Sequence, residues 1–394
     1  MLILTTVVLS VLALPAMVAC MYLLALTLLS QAPPPPPRSS RQLRFDVIVP
    51  AHDEAAGIEG VVASLFALDW PAEYFRVIVV ADNCTDDTAA RARAAGARVI
   101  ERHDTELRGK GHALELAFQM SLARGFATAV VVIDADSRVS ANLLESFAAR
   151  LENGAEVIQA HYGVLNADDS WRTRLLCIAL AAFHRVRSRA RERLKLSCGI
   201  RGNGWCITHR LLRQVPHRAY SLAEDVEYGI ELGLAGYRVQ YADEAQVAAM
   251  MVSGERAART QRQRWEGGRR LLIKTKAPPL LRAAARAGGW VCLDLALDLL
   301  VPPLSYVAVN VLALIAVAGI SQLWFPATQP WLWAGLGCAV CLSIYVARGW
   351  QLSGVGPRGI LDLARAPFFV LWKLLLMLGT RDSNAWVRTR REDT

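Results

Sequence analysis

Carboxylates at short spacing are the first residues in this chain that suggest chemistry. Asp134-Ala135-Asp136 follows the apolar run Val130 to Ile133. An extended backbone turns alternate side chains to one side, so both carboxylates are expected to face the same way. Two adjacent carboxylates repel, and a divalent cation such as Mg²⁺ relieves the repulsion while completing its shell with substrate phosphates. Asp53 and Glu54 follow an apolar run at Phe45 to Val49, and Asp82 follows another at Val77 to Val80. A single acid of this kind is ordinarily a loop-solvating group or a helix cap. Acids placed together after successive strands define a shared binding rim. Glu224-Asp225 precedes a helical stretch at Val226 to Ala235. Acids favour such an amino-terminal turn, and a helix start can also present a base.

These acids need a scaffold. Phe45 to Val49, Val77 to Val80, Ala97 to Ile100, Val130 to Ile133 and Glu156 to Gln159 read as strands. Ala55 to Leu68, Thr85 to Ala95, Gly111 to Ala123 and Ala141 to Leu151 read as helices, with Asp86 and Ser140 as candidate N-caps. Continuous apolar strands alternating with helices predict an α/β fold whose doubly wound, mostly parallel sheet is covered on both faces. Ligands of such sheets bind beyond the carboxyl ends of the strands, where the acids fall.

The chain has 394 residues, 54% hydrophobic and 20% charged, with 44 Lys plus Arg against 35 Asp plus Glu and a net charge of +9. This composition excludes disorder and allows two or three domains. The eight cysteines show no zinc-type spacing and read as reduced packing residues. Mean hydropathy is +0.27, and the apolar residues concentrate at the two ends. Residues 1–32 carry no charged side chain and read as a transmembrane helix. A cleaved signal is the weaker reading, because a basic leader is missing and the apolar run continues to Leu29. Residues 33–44 form a Pro/Arg linker whose Arg38, Arg41 and Arg44 keep it on the cytoplasmic side.

Residues 45–277 then form a cytoplasmic catalytic domain, and 278–394 a membrane region. The latter holds an interfacial helix at Trp290 to Leu300, spans at about 301–320 and 331–346, an amphipathic helix at about 358–379 and a basic tail. The result is a multi-pass protein of the cell (inner) membrane that meets an anionic lipid surface. The run Arg185, Arg187, Arg189, Arg191, Arg193, Lys195 reads as a solvated or lipid-facing helix. The basic charge flanks membrane segments without a recognition module, so nucleic acid is not an expected partner.

At this point residues 45 to 275 resemble the membrane-bound family 2 glycosyltransferases, the group of cellulose and hyaluronan synthases, with a GT-A type catalytic domain. The resemblance rests on Val49-Pro50-Ala51-His52-Asp53-Glu54, on Asp82 before Asn83-Cys84-Thr85-Asp86, and on Gly109-Lys110-Gly111-His112-Ala113-Leu114. Asp134-Ala135-Asp136, Ala223-Glu224-Asp225 and Gln261-Arg262-Gln263-Arg264-Trp265 complete it. It implies a metal-dependent (Mg²⁺ or Mn²⁺), inverting enzyme. Such an enzyme moves a sugar from a nucleotide donor, expected to be UDP-linked, to a lipid or glycan acceptor, and leaves room for partner membrane subunits.

Under the resemblance Asp53, Glu54 and Asp82 hold the nucleoside, with Lys110 close by. Asp136 and Asp134 carry the metal and the sugar diphosphate, Asp136 being the preferred ligand, and Asp225 is the base. Glu224, Gln261 and Trp265 line the mouth, where Arg264 meets the diphosphate and Trp265 offers its flat face to an acceptor sugar. The chain departs from the family at Ala223, where Thr is frequent, and in Cys198 to Trp205, which matches the acceptor-side loop only in its glycines. Two other readings are a processive polysaccharide synthase, for which three spans are few, and an inactive membrane partner or regulator. Gln261 to Trp265 also reads as a basic helix on the membrane surface.

Overall fold

The computed structural model describes residues 1–251, 255–286 and 288–365, without the side chains of 255–264. The chain divides into two compact units. One gathers Met1–Gln31, Ser170–Ala190 and the described chain from Leu297 onward; the other gathers Ala32–Asp169 and Arg191–Ala296.

The second unit is built on one eight-stranded sheet. Its strands are β1 (Phe45–Ala51), β2 (Phe75–Asp82), β3 (Arg98–Arg102), β4 (Ala129–Val132), β5 (Ser137–Val139), β6 (Val157–Val164), β7 (Trp205–Thr208) and β8 (Gln240–Ala249), in the order β3-β2-β1-β4-β7-β6-β8-β5. β3, β2, β1 and β4 run parallel; β7 is antiparallel to both β4 and β6, and β8 is parallel to β6 but antiparallel to β5. The sheet is therefore mixed and mostly parallel, as the apolar runs imply.

Alternation along each strand fills both faces. Val47 and Val49 of β1 and Val131 of β4 pack with Ile58, Val61 and Phe147 on one side. Ile48, Val130 and Val132 pack with Leu114, Phe118, Trp205 and Tyr228 on the other. At about 25 cal/mol per Å² of apolar surface, each fully buried Val or Ile contributes roughly 1.5–3 kcal/mol, and this is why the central strands are unbroken hydrophobic runs.

Three strands were not legible in the sequence. β7 is four residues long and follows a glycine-rich loop. β5 has three residues, and β8 carries Asp243 and Glu244 where β6 and β8 slip register at Ala160/His161. The expected caps also differ. The 88–94 helix begins after Asp87, and Asp86 instead accepts from the N–H groups of Thr88 (3.0 Å) and Ala55 (3.2 Å). Ser140 lies two residues before Asn142, the cap of the 143–152 helix.

In the first unit the helices Leu2–Leu28, Leu304–Ser321 and the Pro326–Ser353 segment are long and apolar enough to cross a membrane. Leu9 and Ala13 pack with Leu314 and Ala318, while Ala16 to Leu23 pack with Val307, Val311 and Tyr345. The first two helices are thus antiparallel, and the Leu28, Leu304 and Ser353 ends share one level. The expected amphipathic helix begins as Arg358–Leu363; from residue 366 it lies outside the described residues.

The basic run departs from its sequence reading. Arg187, Arg189 and Arg191 are buried. In the first unit Arg187 donates to Asp298 (3.0 Å) and the Tyr345 hydroxyl (2.9 Å); in the second, Arg191 donates to Asp294 (2.7 Å). A fully buried charge is tolerated only with such a partner, so Arg187 and Arg191 are internal, ion-paired groups, while Arg193 and Lys195 at the end of the run are exposed as the sequence reading has them.

Candidate active site

The carboxyl ends of β1, β2 and β4 lie side by side, and the acids expected on this rim are there. Asp53 has a left-handed backbone (φ 52°) and accepts from the Thr85 N–H at 2.6 Å. Glu54 donates its backbone N–H to Thr88 Oγ1 at 2.7 Å. Asp82 is buried at the end of β2. Its Oδ1 accepts from Arg102 Nη1 at 2.7 Å and from the Asn83 amide at 3.0 Å, and its carbonyl meets His52 Nδ1 at 2.7 Å. Arg102 was missed in the sequence; it is the in-register neighbour of Asp82 on β3. Asp82 is thereby a fixed, charge-compensated group.

Asp134-Ala135-Asp136 does not continue the strand. It forms a turn between β4 and β5 in which the Ser137 N–H bonds to the Asp134 carbonyl at 3.2 Å. The expected alternation of an extended backbone does not apply there. Each carboxylate has its own setting: Asp134 Oδ1 lies 2.6 Å from Lys110 Nζ, and Asp136 Oδ1 accepts from the Ser137 hydroxyl at 3.1 Å. Both are hard oxygen donors of the kind that suits Mg²⁺ or Mn²⁺. The Lys110 ammonium already occupies Asp134 Oδ1.

Lys110 opens the Lys110–Arg124 helix after Gly109, whose φ of 116° an L side chain rarely adopts. Besides Asp134, Nζ reaches the Gly202 carbonyl at 2.7 Å and Glu224 Oε1 at 3.5 Å. Burial works against the charge, but the carboxylates of Asp134 and Glu224 outweigh it and hold the ammonium above the ordinary lysine range.

Glu224 and Asp225 are the first residues of the Glu224–Leu234 helix, so the helix-start reading and the site reading are both realised. Burial pushes Glu224 up to about 7, with Lys110 opposing and Asp225 adding to the rise. Burial also raises Asp225, against Lys110 and the N–H groups of the helix start. A Cβ on Gly202 would lie 3.1 Å from Asp225 Oδ2, which sets that carboxylate against the Gly202 loop.

Sequence-distant acids from β4 and from the 224–234 helix therefore converge on one lysine. Gly268 of the Glu255–Ala284 helix packs on Ala223, where its Cβ would sit 3.0 Å from the Ala223 Cβ. Trp265, one turn earlier, is 38% exposed. Small residues at 223 and 268 let the two helices approach, a reason for Ala223 that the sequence alone did not offer. The side chains of Gln261 and Arg264 lie outside the described residues. Besides Arg102, the sequence reading missed Asn203, Ser137 and Gln159. The only signal for the Asn203 loop was the glycine spacing at 199, 202 and 204.

The family model described as glycosyltransferase like family 2 matches residues 42–268, more than half of the chain. The chain belongs to glycosyltransferase family 2. This glycosyltransferase is 36% identical to glycosyltransferase AglD of Haloferax volcanii over 114 residues, 27% of this chain and 18% of that protein. It is 23% identical to the probable glycosyltransferase YdaM of Bacillus subtilis over 239 residues, 58% of this chain and 56% of that one. The family 2 chain thus spans little more than half of the one relative and under a fifth of the other. Among solved structures, the mannosyltransferase PcManGT from Pyrobaculum calidifontis, in complex with GDP-Man and Mn²⁺, superposes with a TM-score of 0.50 at 17% identity. The superposition covers 85% of this glycosyltransferase and 98% of that chain, and it shows a shared GT-A fold.

Proposed function

We propose that this family 2 enzyme transfers a sugar, with inversion, from a nucleotide donor to a lipid or glycan acceptor at the cytoplasmic face of a membrane. The observation that carries the reading is Lys110, whose ammonium joins Asp134 after β4 to Glu224 beside Asp225. That convergence supports a donor site and a base in one crevice. The donor is UDP-linked under the resemblance. The GDP-Man bound by the Pyrobaculum enzyme makes the guanosine series the comparison to include.

Asp53, Glu54 and Asp82 line the nucleoside end, and Asp134 and Asp136 the diphosphate end, the role that the resemblance also assigns to Arg264. A divalent ion held by Asp136, with Asp134 beside it, would supply positive charge to the diphosphate as it leaves. Asp225 accepts the proton of the acceptor hydroxyl as that oxygen bonds to the anomeric carbon and the carbon–diphosphate bond breaks. One displacement with one base converts an α-linked donor into a β-linked product. Burial favours this role, because a carboxylate lifted above its ordinary range takes a hydroxyl proton more readily. Glu224 and Trp265 border the acceptor mouth, the role that the resemblance also assigns to Gln261.

The three apolar helices support membrane attachment. Arg185 and Arg348 at the Ser30 and Ser353 ends support a cytoplasmic location for those ends, and with it contact with anionic lipid. Three candidate spans among the described residues favour a short product over a secreted polymer, and partner membrane subunits are compatible with this layout. The deciding experiment supplies labelled UDP- and GDP-sugars to purified membranes with and without EDTA, reading product size by mass. A short product formed from one donor series and lost in chelator is expected. Full activity in chelator would refute the metal assignment, long chains would favour a processive synthase, and no donor turnover at all would favour the inactive partner.

A further inference from the structure

The turn that carries Asp134 and Asp136 is held by a residue outside the motif. Asn203 is fully buried. Its Oδ1 accepts the Asp134 backbone N–H at 3.0 Å, and its Nδ2 donates to Ser137 Oγ at 2.6 Å. Ser137 Oγ in turn donates to Asp136 Oδ1 at 3.1 Å. The hydroxyl has one hydrogen, and Asp136 takes it. The group on its other side must then be a donor. An amide meets both needs at once, an acceptor toward Asp134 and a donor toward Ser137; a carboxylate or an alkyl group does not.

Asn203 is itself pinned. Gln159, also fully buried, donates Nε2 to the Asn203 carbonyl at 2.7 Å and accepts the Arg201 N–H at 2.8 Å. Gly202 and Gly204 flank it with φ of 85° and 72°, and a Cβ on Gly204 would lie 2.6 Å from Val247 Cγ2. The same loop gives its Gly202 carbonyl to Lys110.

We propose that Asn203 is a positioning residue that, through Ser137, fixes the orientation in which Asp136 offers its carboxylate to a divalent cation. The proposal rests on reading Asp134-Ala135-Asp136 as the cation and diphosphate motif. Groups that orient a metal ligand typically account for 10-fold to 100-fold in metal affinity.

The test is Mn²⁺ titration of the full-length protein in detergent, with UDP present, followed by electron paramagnetic resonance. Ser137→Ala and Asn203→Asp are expected to weaken Mn²⁺ binding by about 10-fold to 100-fold, and Ser137→Thr, which keeps the hydroxyl, to stay within about threefold of wild type. Wild-type affinity in Ser137→Ala would overturn the proposal. So would equal losses in Ser137→Ala and Ser137→Thr, since packing and not the hydroxyl would then set the affinity. Wild-type affinity in a folded Asn203→Asp would overturn it too, and should that variant not fold, Asn203→Ala is read by the same criterion. A wild-type protein that binds no Mn²⁺ would remove the metal reading itself, an outcome distinct from unchanged binding in the variants.

Discussion

Replacing Asp225 with Asn separates chemistry from architecture, because the two effects differ in size and in sign. The amide keeps the shape of a side chain set against the Gly202 loop, where a Cβ would come within 3.1 Å of Oδ2. It loses the anion at the start of the 224–234 helix, an interaction worth about 0.3–1 kcal/mol. It also removes a negative charge from a crevice that holds Glu224 and Asp134, which returns energy of the same order and lets Glu224 fall back toward its ordinary 4.5. Melting temperature should therefore change little. Catalysis should not be spared: loss of a general base costs about 10² to 10⁴ in kcat, or roughly 3–5 kcal/mol of barrier. The assay is initial-rate release of nucleoside diphosphate from the labelled donor at saturating acceptor, with donor KM recorded alongside. Glu224→Gln is the control. It gives up a 3.5 Å contact with Lys110. Its kcat should fall by about tenfold or less, the value of one long ion-pair contact at about 1 kcal/mol or below. A kcat within about tenfold of wild type in Asp225→Asn, or a larger loss in Glu224→Gln, would refute the assignment of the base.

Glu224 also ties stability to pH. Its folded value of about 7 exceeds the ordinary 4.5, so the folded state holds the proton more tightly and the associated stability is complete below 4.5 and lost as pH rises toward 7. Melting curves should show wild type losing ground to Glu224→Gln across that window, and parallel curves would contradict this. Gly204→Ala forces a Cβ to within 2.6 Å of Val247 Cγ2 at a φ of 72°. It should lower unfolding free energy by about 2–4 kcal/mol by denaturant titration, left-handed strain and overpacking adding together. Asp294→Ala should cost about 3–5 kcal/mol by abandoning the fully buried Arg191. Combining Arg191→Met with Asp294→Leu removes both charges together and should lie much nearer wild type in a double-mutant cycle.

What could be read in advance was what local pattern encodes. Val47, Val49, Val131 and their neighbours announce central strands because each is buried on one face or the other. The acids at strand ends follow from strand direction alone. The geometry of Asp134 to Asp136 was hidden, because the amide that shapes the turn stands at position 203 and nothing near residue 134 betrays it. The arginine run misled for a similar reason. A row of like charges suggests solvent until its counter-ions are known, and here Asp294 and Asp298 lie more than a hundred residues downstream. Ala223 looked like a departure from pattern until Gly268 supplied the close helix approach that a larger side chain would oppose.

The apolar unit is assembled from Met1–Gln31, Ser170–Ala190 and the described chain from Leu297 onward, so its middle portion interrupts the catalytic unit in sequence. Trimming both termini cannot free a water-soluble enzyme: a fragment of residues 45–277 would still carry Ser170–Ala190, with Ala182 and Val186 stripped of the Ala16, Leu23 and Tyr345 cluster they belong to. During synthesis, that helical segment leaves the ribosome long before its later partners exist. A soluble form would need a polar bridge in place of Ser170–Ala190.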